Sequence, residues 1–544
     1  MKLRFLPAIP RRKAAFLLFA LLLPFGSTSW PGNGMAAEAS TPYDDVKPNF
    51  ASDAIARLTE QGIAQGTGKG RFEPLRPVSR AEFVSMLVRS FGLNATAGTY
   101  SAYKDVPRSA WYYGWVQAGV PLGIAQGVSS SAFEPLRSVS RQEAAVFLSR
   151  ALKQEPRNAP VVLPYIDEAV VAEWAKASVG ILSRIELMEG DDQGRFRPSA
   201  SLTRQEAAVL IDRVLRRESW SSQFSASTAD TIQLGWQYGQ TTAQFQKQVA
   251  SSSVNTLSPR WYFLSDSGTM SDSTDSSLVA WAHARGKKVW AMVGNRSDQA
   301  ATSRMLGSAG PRQAFASQLA AAVKRNGLDG LNVDFENVAP EDRAVFTLFV
   351  EELAFKLKPL NATLSVNVSP DLATDWTEAF DYAALGRAAD YIVLMGYDQH
   401  WGGSPVAGSV SSLPWLRSGI EKLLGSVPAG KTIVAVPFYT RDWYTDSTGQ
   451  QSKLWSLPEQ DLALQSANPV MRWNDALGQY EASYAKNGVQ HRVWVEDGRS
   501  LARKTLKAAD NGVAGYAFWY MGGETPDVWS SIGNAIKYGA FRFP

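Results

Sequence analysis

The sequence predicts an α/β protein in which a (β/α)8 barrel follows three mainly helical repeats. Beyond residue 230, eight apolar, strand-like runs alternate with helix-like or loop segments, and this alternation is typical of a closed parallel barrel. Before that point, a unit of about 60 residues occurs three times. A chain of 544 residues is long enough for both parts.

The eight runs lie near residues 232–238, 260–264, 288–293, 330–335, 364–368, 391–395, 433–437 and 514–519. The fourth run is the most informative, because residues 329–336 read Asp-Gly-Leu-Asn-Val-Asp-Phe-Glu. A strand alternates faces, so Asn332, Asp334 and Glu336 share one side. Two carboxylates and an amide in one small volume are costly in a core, which indicates a functional site.

An edge strand with a solvated acidic face is the structural alternative for this run. The apolar residues Leu331, Val333 and Phe335 on the other face instead favour a parallel strand packed against helices. Catalytic groups of such barrels lie at the C-terminal ends of the strands, where Glu336 falls.

The first 37 residues predict a secretory signal peptide. Five basic residues precede an apolar stretch at residues 14–25, and small residues follow it as candidate cleavage sites. Removing residues 1–37 takes away five basic and no acidic side chains, so the net charge falls from +4 to −1. The chain contains no cysteine, which favours a bacterial wall over an animal secretory route. We therefore expect a secreted protein associated with a bacterial cell wall, no nucleic-acid partner and no stable membrane span after cleavage. An uncleaved anchor is the alternative.

The three repeats share a signature that begins a helix. Ser or Thr followed three residues later by Glu is a capping box. The copies are Ser79-Arg80-Ala81-Glu82, Ser140-Arg141-Gln142-Glu143 and Thr203-Arg204-Gln205-Glu206. We expect repeats at residues 38–98, 99–160 and 161–217, a Ser-, Thr- and Ala-rich linker at 218–230, and the barrel at 231–544.

This triplet resembles surface-layer homology (SLH) domains, and the resemblance covers roughly residues 40–215. It implies a pseudo-threefold assembly that binds secondary cell-wall polysaccharide, with Arg80, Arg141 and Arg204 as candidate contacts to an anionic sugar. The alternative is that these arginines are solvated. A cation in the first turn of a helix opposes the helix dipole, so its recurrence favours a specific use.

The acidic run resembles the signature of family 18 glycoside hydrolases, Asp-Gly-x-Asp-x-Asp-x-Glu, with Asn332 in place of the middle Asp. Three further segments fall in the order of that family: Met395-Gly396-Tyr397-Asp398, Tyr439 and Trp519. The resemblance covers essentially residues 230–540 and is nearest to the peptidoglycan-hydrolase branch associated with spores.

The resemblance implies a retaining reaction in which the N-acetyl group of the substrate acts as nucleophile. It assigns Glu336 as general acid and base, Asp334 as the group that orients the acetamido N–H, and Tyr397 as a hydrogen-bond donor to its carbonyl. Asp398 and Tyr439 would support the substrate pocket, with Trp519 as its floor. Asn332 is grouped with these substrate-binding residues, but an amide cannot take a proton from Asp334, so we expect no proton relay through this position.

We expect no cofactor and no metal, since the three histidines at positions 283, 400 and 491 lack ligand-like spacing. The expected substrate is a glycan that contains N-acetylglucosamine, with peptidoglycan favoured. Two alternatives stay open, a hydrolase of chitin or chito-oligosaccharides and a non-catalytic protein that binds wall glycan. Retention of the acid Glu336 disfavours the second.

Overall fold

The computed structural model describes residues 42–154, 162–371 and 374–543. The predicted signal peptide at residues 1–37 lies outside the described residues. Within these ranges, no helix is both long enough and apolar enough to cross a membrane.

Each repeat contributes a pair of helices, and the second helix of each pair begins at the signature arginine. The helices are α1 (Ser52–Glu60), α2 (Arg80–Ser90), α3 (Tyr113–Gly119), α4 (Arg141–Ala151), α5 (Glu173–Arg184) and α6 (Arg204–Leu215). The capping boxes predicted for α2, α4 and α6 are all confirmed. In α2, the Ser79 hydroxyl accepts from the Glu82 N–H, and the Glu82 carboxylate accepts from the Ser79 N–H.

The repeats close into a ring with approximate threefold symmetry. The N–H of Val78 donates to Leu202, that of Leu202 to Val139 and that of Val139 back to Val78, at 2.9–3.0 Å. Because each repeat hydrogen-bonds to the next, none of the three completes its backbone pairing alone. Their apolar faces form one shared core.

The segment for which a linker is predicted begins with a helix, α7 (Glu218–Phe224). Its Trp220 and Phe224 are buried, and Phe224 stacks on Phe91 with ring centroids 5.2 Å apart. Trp220 also contacts Phe543 edge-on. About half of the segment therefore packs into the fold. Its two aromatic rings are buried together with aromatic residues of the first repeat and of the C-terminal segment.

Eight parallel strands form the closed barrel, and they coincide with the eight predicted runs. They are β1 (Ile232–Gln237), β2 (Thr256–Leu264), β4 (Lys288–Gly294), β5 (Gly330–Asp334), β6 (Thr363–Val368), β7 (Tyr391–Met395), β8 (Thr432–Pro437) and β14 (Gly515–Trp519). The barrel closes because β1 pairs with both β2 and β14. A short strand β3 (Met270–Asp272) pairs antiparallel with β2.

Helices cover the outside of the barrel. They are α8 (Thr242–Ala250), α9 (Ser276–His283), α10 (Gln299–Leu306), α11 (Ala309–Asn326), α12 (Arg343–Leu357), α13 (Asp375–Glu378), α14 (Tyr382–Ala388), α15 (Leu413–Leu424), α17 (Gly498–Asp510) and α18 (Asp527–Ala540). Leu331 and Val333 of β5 belong to the core between strands and helices. Trp236 and Met292 belong to a smaller apolar cluster inside the barrel. The alternation of residues along the strands thus distinguishes side chains that face the outer helices from side chains that face the interior of the barrel.

A second sheet, inserted between β8 and β14, was not predicted from the sequence. It is antiparallel and contains β9 (Tyr439–Asp446), β10 (Gly449–Ser456), β11 (Val470–Asn474), β12 (Gln479–Lys486) and β13 (Val489–Val495), with helix α16 (Leu457–Ala467). Its spatial order is β10-β9-β13-β12-β11. The repeats contact this insertion directly, since the Tyr100 hydroxyl donates to Asp461 of α16 at 2.8 Å.

Candidate active site

The three polar residues of the fourth barrel strand lie together at the C-terminal end of the barrel. Asn332 and Asp334 belong to β5, and Glu336 follows two residues after the strand ends. Asn332 is completely buried, whereas Asp334 and Glu336 are partly exposed. The edge-strand alternative is wrong, because β5 pairs with β4 on one side and β6 on the other.

The amide of Asn332 is fully used by its neighbours. Its oxygen accepts from the Trp236 indole N–H at 2.9 Å, and its nitrogen donates to Ser365 at 2.9 Å and to Asn367 at 2.8 Å. Asn367 in turn donates to the Asp334 carboxylate at 2.9 Å. The residue that departs from the family signature therefore orients the amide that holds Asp334.

Asp334 is the most perturbed carboxylate of the site. Burial raises its pKa, and the negative charge of Glu336 raises it further, whereas the hydrogen bond from Asn367 opposes both effects. Because the charge of one carboxylate disfavours ionisation of the other, the titrations of Asp334 and Glu336 are linked.

Glu336 is held by the loop that follows β4. The buried Asn295 accepts from the Glu336 N–H at 3.0 Å and donates to the Glu336 carbonyl at 2.7 Å, while the Ser297 hydroxyl donates to the Glu336 carboxylate at 2.9 Å. Burial raises the pKa of Glu336 and the charge of Asp398 adds to this, whereas Ser297 and Arg260 act in the opposite direction. A raised pKa suits a group that must donate a proton near neutral pH.

Aromatic side chains complete the pocket. Tyr397 stacks on Trp519 with centroids 6.4 Å apart, and Trp519 meets Trp236 edge-on at 5.8 Å. Burial and the nearby carboxylates raise the pKa of Tyr397 well above its usual value, so its hydroxyl remains a donor. The buried Tyr439 donates to Asp398 at 2.5 Å.

One cationic residue of the site was not predicted. Arg260 of β2 lies over Tyr238, Phe263 and Trp519, with its guanidinium carbon 5.1, 5.3 and 5.9 Å from the ring centroids. Its charge lowers the pKa of both Asp334 and Glu336.

The sequence contained a signal for part of what was missed. Ser365 and Asn367 alternate with apolar residues in the run at 364–368, in the same way as the polar residues of the fourth run. Asn295, Ser297 and Arg260 carried no such signal, because neither a loop position nor a lone arginine has a periodicity to read.

The signature arginines of the repeats tie the repeats together. The Nε of Arg80 donates to the Phe133 carbonyl at 2.8 Å, and equivalent bonds of the same length link Arg141 to Phe196 and Arg204 to Phe72. Arg80 and Arg204 also pair with Glu143 and Glu82 of neighbouring repeats, at 2.8 and 2.7 Å. Both guanidinium groups are almost completely buried. Their role as sugar contacts stays a prediction.

The three histidines lie apart from one another. His283 contacts Asp329, His400 contacts the Ser409 carbonyl and His491 contacts Asp442, at 2.8–3.0 Å. The described residues contain no group of three or more His, Cys, Asp or Glu side chains suited to hold a metal ion.

Comparison with known families finds two matches on this chain. "Glycosyl hydrolases family 18" matches residues 229–524, which is more than half of the chain and includes the whole site. "S-layer homology domain" matches three times, at residues 42–84, 102–145 and 169–208.

Similar proteins agree with these matches. An uncharacterized glycosylase, YvbX, from Bacillus subtilis is 27% identical over 298 residues, covering 52% of this chain and 85% of that protein. A cortical fragment-lytic enzyme from Bacillus cereus is 28% identical over 276 residues, covering 48% of this chain and 63% of that protein. The structure of a chitinase from Chromobacterium violaceum shares the fold, with a TM-score of 0.52 and 23% identity, and covers 57% of this chain and all of that one.

The predicted fold and enzyme class are thus confirmed, and the S-layer homology domains associate the protein with a cell surface. The chain belongs to the glycosyl hydrolases of family 18, and it is a glycoside hydrolase with three S-layer homology domains.

Proposed function

We propose that this protein is a secreted, wall-anchored hydrolase that cleaves β-1,4 bonds of glycans containing N-acetylglucosamine, with peptidoglycan as the favoured substrate. The observation that carries the proposal is that Asp334 at the end of β5 and Glu336 just after it lie close enough to Tyr397, which stacks on Trp519, for their charges to raise the pKa of Tyr397. The similarity to an enzyme named for lysis of cortical fragments favours peptidoglycan.

The proposed reaction retains the configuration of the anomeric carbon. Glu336 gives its proton to the leaving glycosidic oxygen while the N-acetyl carbonyl oxygen of the substrate attacks the anomeric carbon, which forms an oxazolinium ring. Glu336, now ionised, then takes a proton from the water that opens this ring. The two steps return the enzyme to its starting state.

The other residues act on the acetamido group and the positive charge. Asp334 accepts from the acetamido N–H and balances the charge of the ring, and the hydrogen bond from Asn367 fixes its position. Tyr397 donates to the acetamido oxygen, and Trp519 supplies an apolar floor for the sugar. Asp398 and Tyr439 support the wall of the pocket through their mutual hydrogen bond.

The repeats would hold the enzyme beside its polymer. We propose that they bind secondary cell-wall polysaccharide through the grooves next to Arg80, Arg141 and Arg204, which raises the local concentration of substrate as linked binding modules do. Arg141 is the clearest of the three to test, because it is the most accessible and makes no ion pair within 4.0 Å among the described residues.

The decisive experiment digests purified sacculi and chitin in parallel and identifies the reducing-end sugars by mass spectrometry. We expect products with N-acetylglucosamine at the new reducing end from sacculi, and a loss of roughly a hundredfold or more in rate for Glu336→Gln. The matched control is Glu341→Gln, an exposed carboxylate shortly after the site.

Binding to isolated walls should be equal for the wild type, Glu336→Gln and the control. Unchanged sugar release by Glu336→Gln would refute the catalytic assignment. Products from chitin alone would move the substrate from peptidoglycan to chitin while keeping the hydrolase.

A further inference from the structure

Two arginines lie on one aromatic ring beside the catalytic pair. The guanidinium carbons of Arg260 and Arg296 are 5.3 and 4.3 Å from the centroid of Phe263. Arg260 comes from β2, and Arg296 comes from the loop after β4. Two like charges share one ring, so their mutual repulsion must be offset by something else in the site.

Neither arginine forms a close ion pair with a carboxylate of the described residues. Within residues 42–154, 162–371 and 374–543, neither guanidinium makes an ion pair within 4.0 Å. The Nε atom of Arg260 is buried and has no hydrogen-bond partner among these residues. A buried donor without a partner costs free energy, which a ligand with an acceptor oxygen would recover.

These cations also lie next to the groups that carry out the reaction. Arg260 acts electrostatically on both Asp334 and Glu336. Arg296 directly precedes Ser297, whose hydroxyl donates to Glu336 at 2.9 Å. A ligand group bound by the two arginines would therefore lie close to the bond that is cleaved.

We propose that Arg260 and Arg296 form a carboxylate-binding subsite, which recognises an acidic N-acetylated sugar next to the scissile bond. Guanidinium groups bind carboxylates through paired, charge-assisted hydrogen bonds. Chitin carries no carboxylate, whereas the muramyl sugar of peptidoglycan carries one on its lactyl group or on the attached stem peptide. The subsite rests on the proposed hydrolase function and explains how such an enzyme selects peptidoglycan over chitin.

The test compares kcat/KM on three soluble substrates: neutral chito-oligosaccharides, peptidoglycan glycan strands with stem peptides, and the same strands stripped by an amidase. We expect Arg296→Gln to lose about ten- to a hundredfold on the acidic strands, and to be unchanged on the neutral substrate. Added salt should weaken the wild type on the acidic strands alone. A loss confined to the stripped strands identifies the lactyl carboxylate, and a loss confined to the strands with peptides identifies the peptide carboxylate.

The matched control is Arg285→Gln, whose guanidinium carbon lies 4.5 Å from the centroid of Trp281 on helix α9. It should behave like the wild type on all substrates. Arg260→Gln is the second variant, and it should lose more on the acidic strands than on the neutral substrate. It should also move the alkaline limb of the pH profile upward, because Arg260 lowers the pKa of both catalytic carboxylates.

Equal losses on neutral and acidic substrates, or no loss on either, would overturn the subsite while leaving the hydrolase in place. A wild type that cleaves only chito-oligosaccharides would overturn both the subsite and the peptidoglycan preference. A wild type inactive on all three substrates would contradict the proposed function itself.

Discussion

Charged side chains are paired differently in the repeats and at the mouth of the barrel. In the repeats, Arg80 and Arg204 are buried and pair with Glu143 and Glu82 across repeat boundaries. At the barrel mouth, Arg260 has a buried Nε atom without a partner among the described residues, and Asp334 and Glu336 have raised pKa values. Charges in the repeats are paired with each other, whereas those at the barrel mouth make no ion pair within 4.0 Å among the described residues, as is typical of a functional site.

The repeats also differ among themselves. Arg76 and Arg137 pair with Glu82 and Glu143, but the third repeat has Ala200 at the corresponding position. Glu206 thus keeps its capping role without an arginine partner of this kind, and Arg141 makes no ion pair within 4.0 Å among the described residues. Near-threefold symmetry of the backbone therefore does not make the three positions energetically equal.

The largest effect should come from breaking a paired arginine in the repeats. Arg204→Ala removes an ion pair with Glu82 and hydrogen bonds to the Phe72 and Gln65 carbonyls, whereas Glu82 keeps its pair with Arg76, so we expect a loss of about 2–4 kcal/mol. The equivalent Arg141→Ala removes hydrogen bonds to two carbonyls but no ion pair, so we expect about 1–2 kcal/mol. Calorimetric unfolding of the full chain measures both. If the two variants lowered the temperature of the first unfolding transition equally, the unequal contributions of Arg204 and Arg141 to stability would be contradicted.

A smaller effect is expected from restoring the carboxylate of the family signature. Asn332→Asp places a charge where the amide now donates to Asn367, so Asn367 must turn over and release Asp334. Both the new charge and the lost hydrogen bond raise the pKa of Asp334. The acidic limb of the kcat/KM profile should then move to higher pH.

Asn361→Asp, at an exposed turn, is the control for this change and should leave the profile in place. A profile for Asn332→Asp that matches the wild type would mean that Asn332 does not govern the ionisation of Asp334.

The smallest effect should come from Ser297→Gly, which removes one hydroxyl. Glycine is chosen because Ser297 has a φ of 57°, where a Cβ is disfavoured. The hydroxyl stabilises the ionised form of Glu336 and lowers its pKa, so its loss raises that pKa. The protonated acid then persists to higher pH, and the alkaline limb of the kcat profile should move up by about one unit or less.

Ser267→Gly, in an exposed turn, is the control for the loss of a hydroxyl and should leave the kcat profile unchanged. A downward shift for Ser297→Gly would show that Ser297 does not stabilise the carboxylate.

The sequence was sufficient to predict the barrel, because the barrel strands are long, apolar and separated by helical segments. The run at 329–336 pointed to Glu336 as the candidate acid, since the two-residue period of a strand assigns each side chain to one of two faces. The five-stranded insertion was missed because β10 is largely polar and β11 shows no clear alternation of polar and apolar residues. The helix at Glu218–Phe224 was missed because the Ser-rich composition of the segment indicated a linker, although the segment contains two aromatic residues that are buried in the fold.

By itself, the sequence determined the order of the parts and the eight strands and singled out Glu336 as the candidate acid, because these depend on local periodicity and on residue type. Only the tertiary structure decided which residues contact one another in the site. It brought Asn367 of β6 between Asn332 and Asp334, Asn295 and Ser297 onto Glu336, and Arg260 over Trp519. Such contacts join residues far apart in the chain, and the pKa of a buried carboxylate depends on those neighbours more than on its own sequence context.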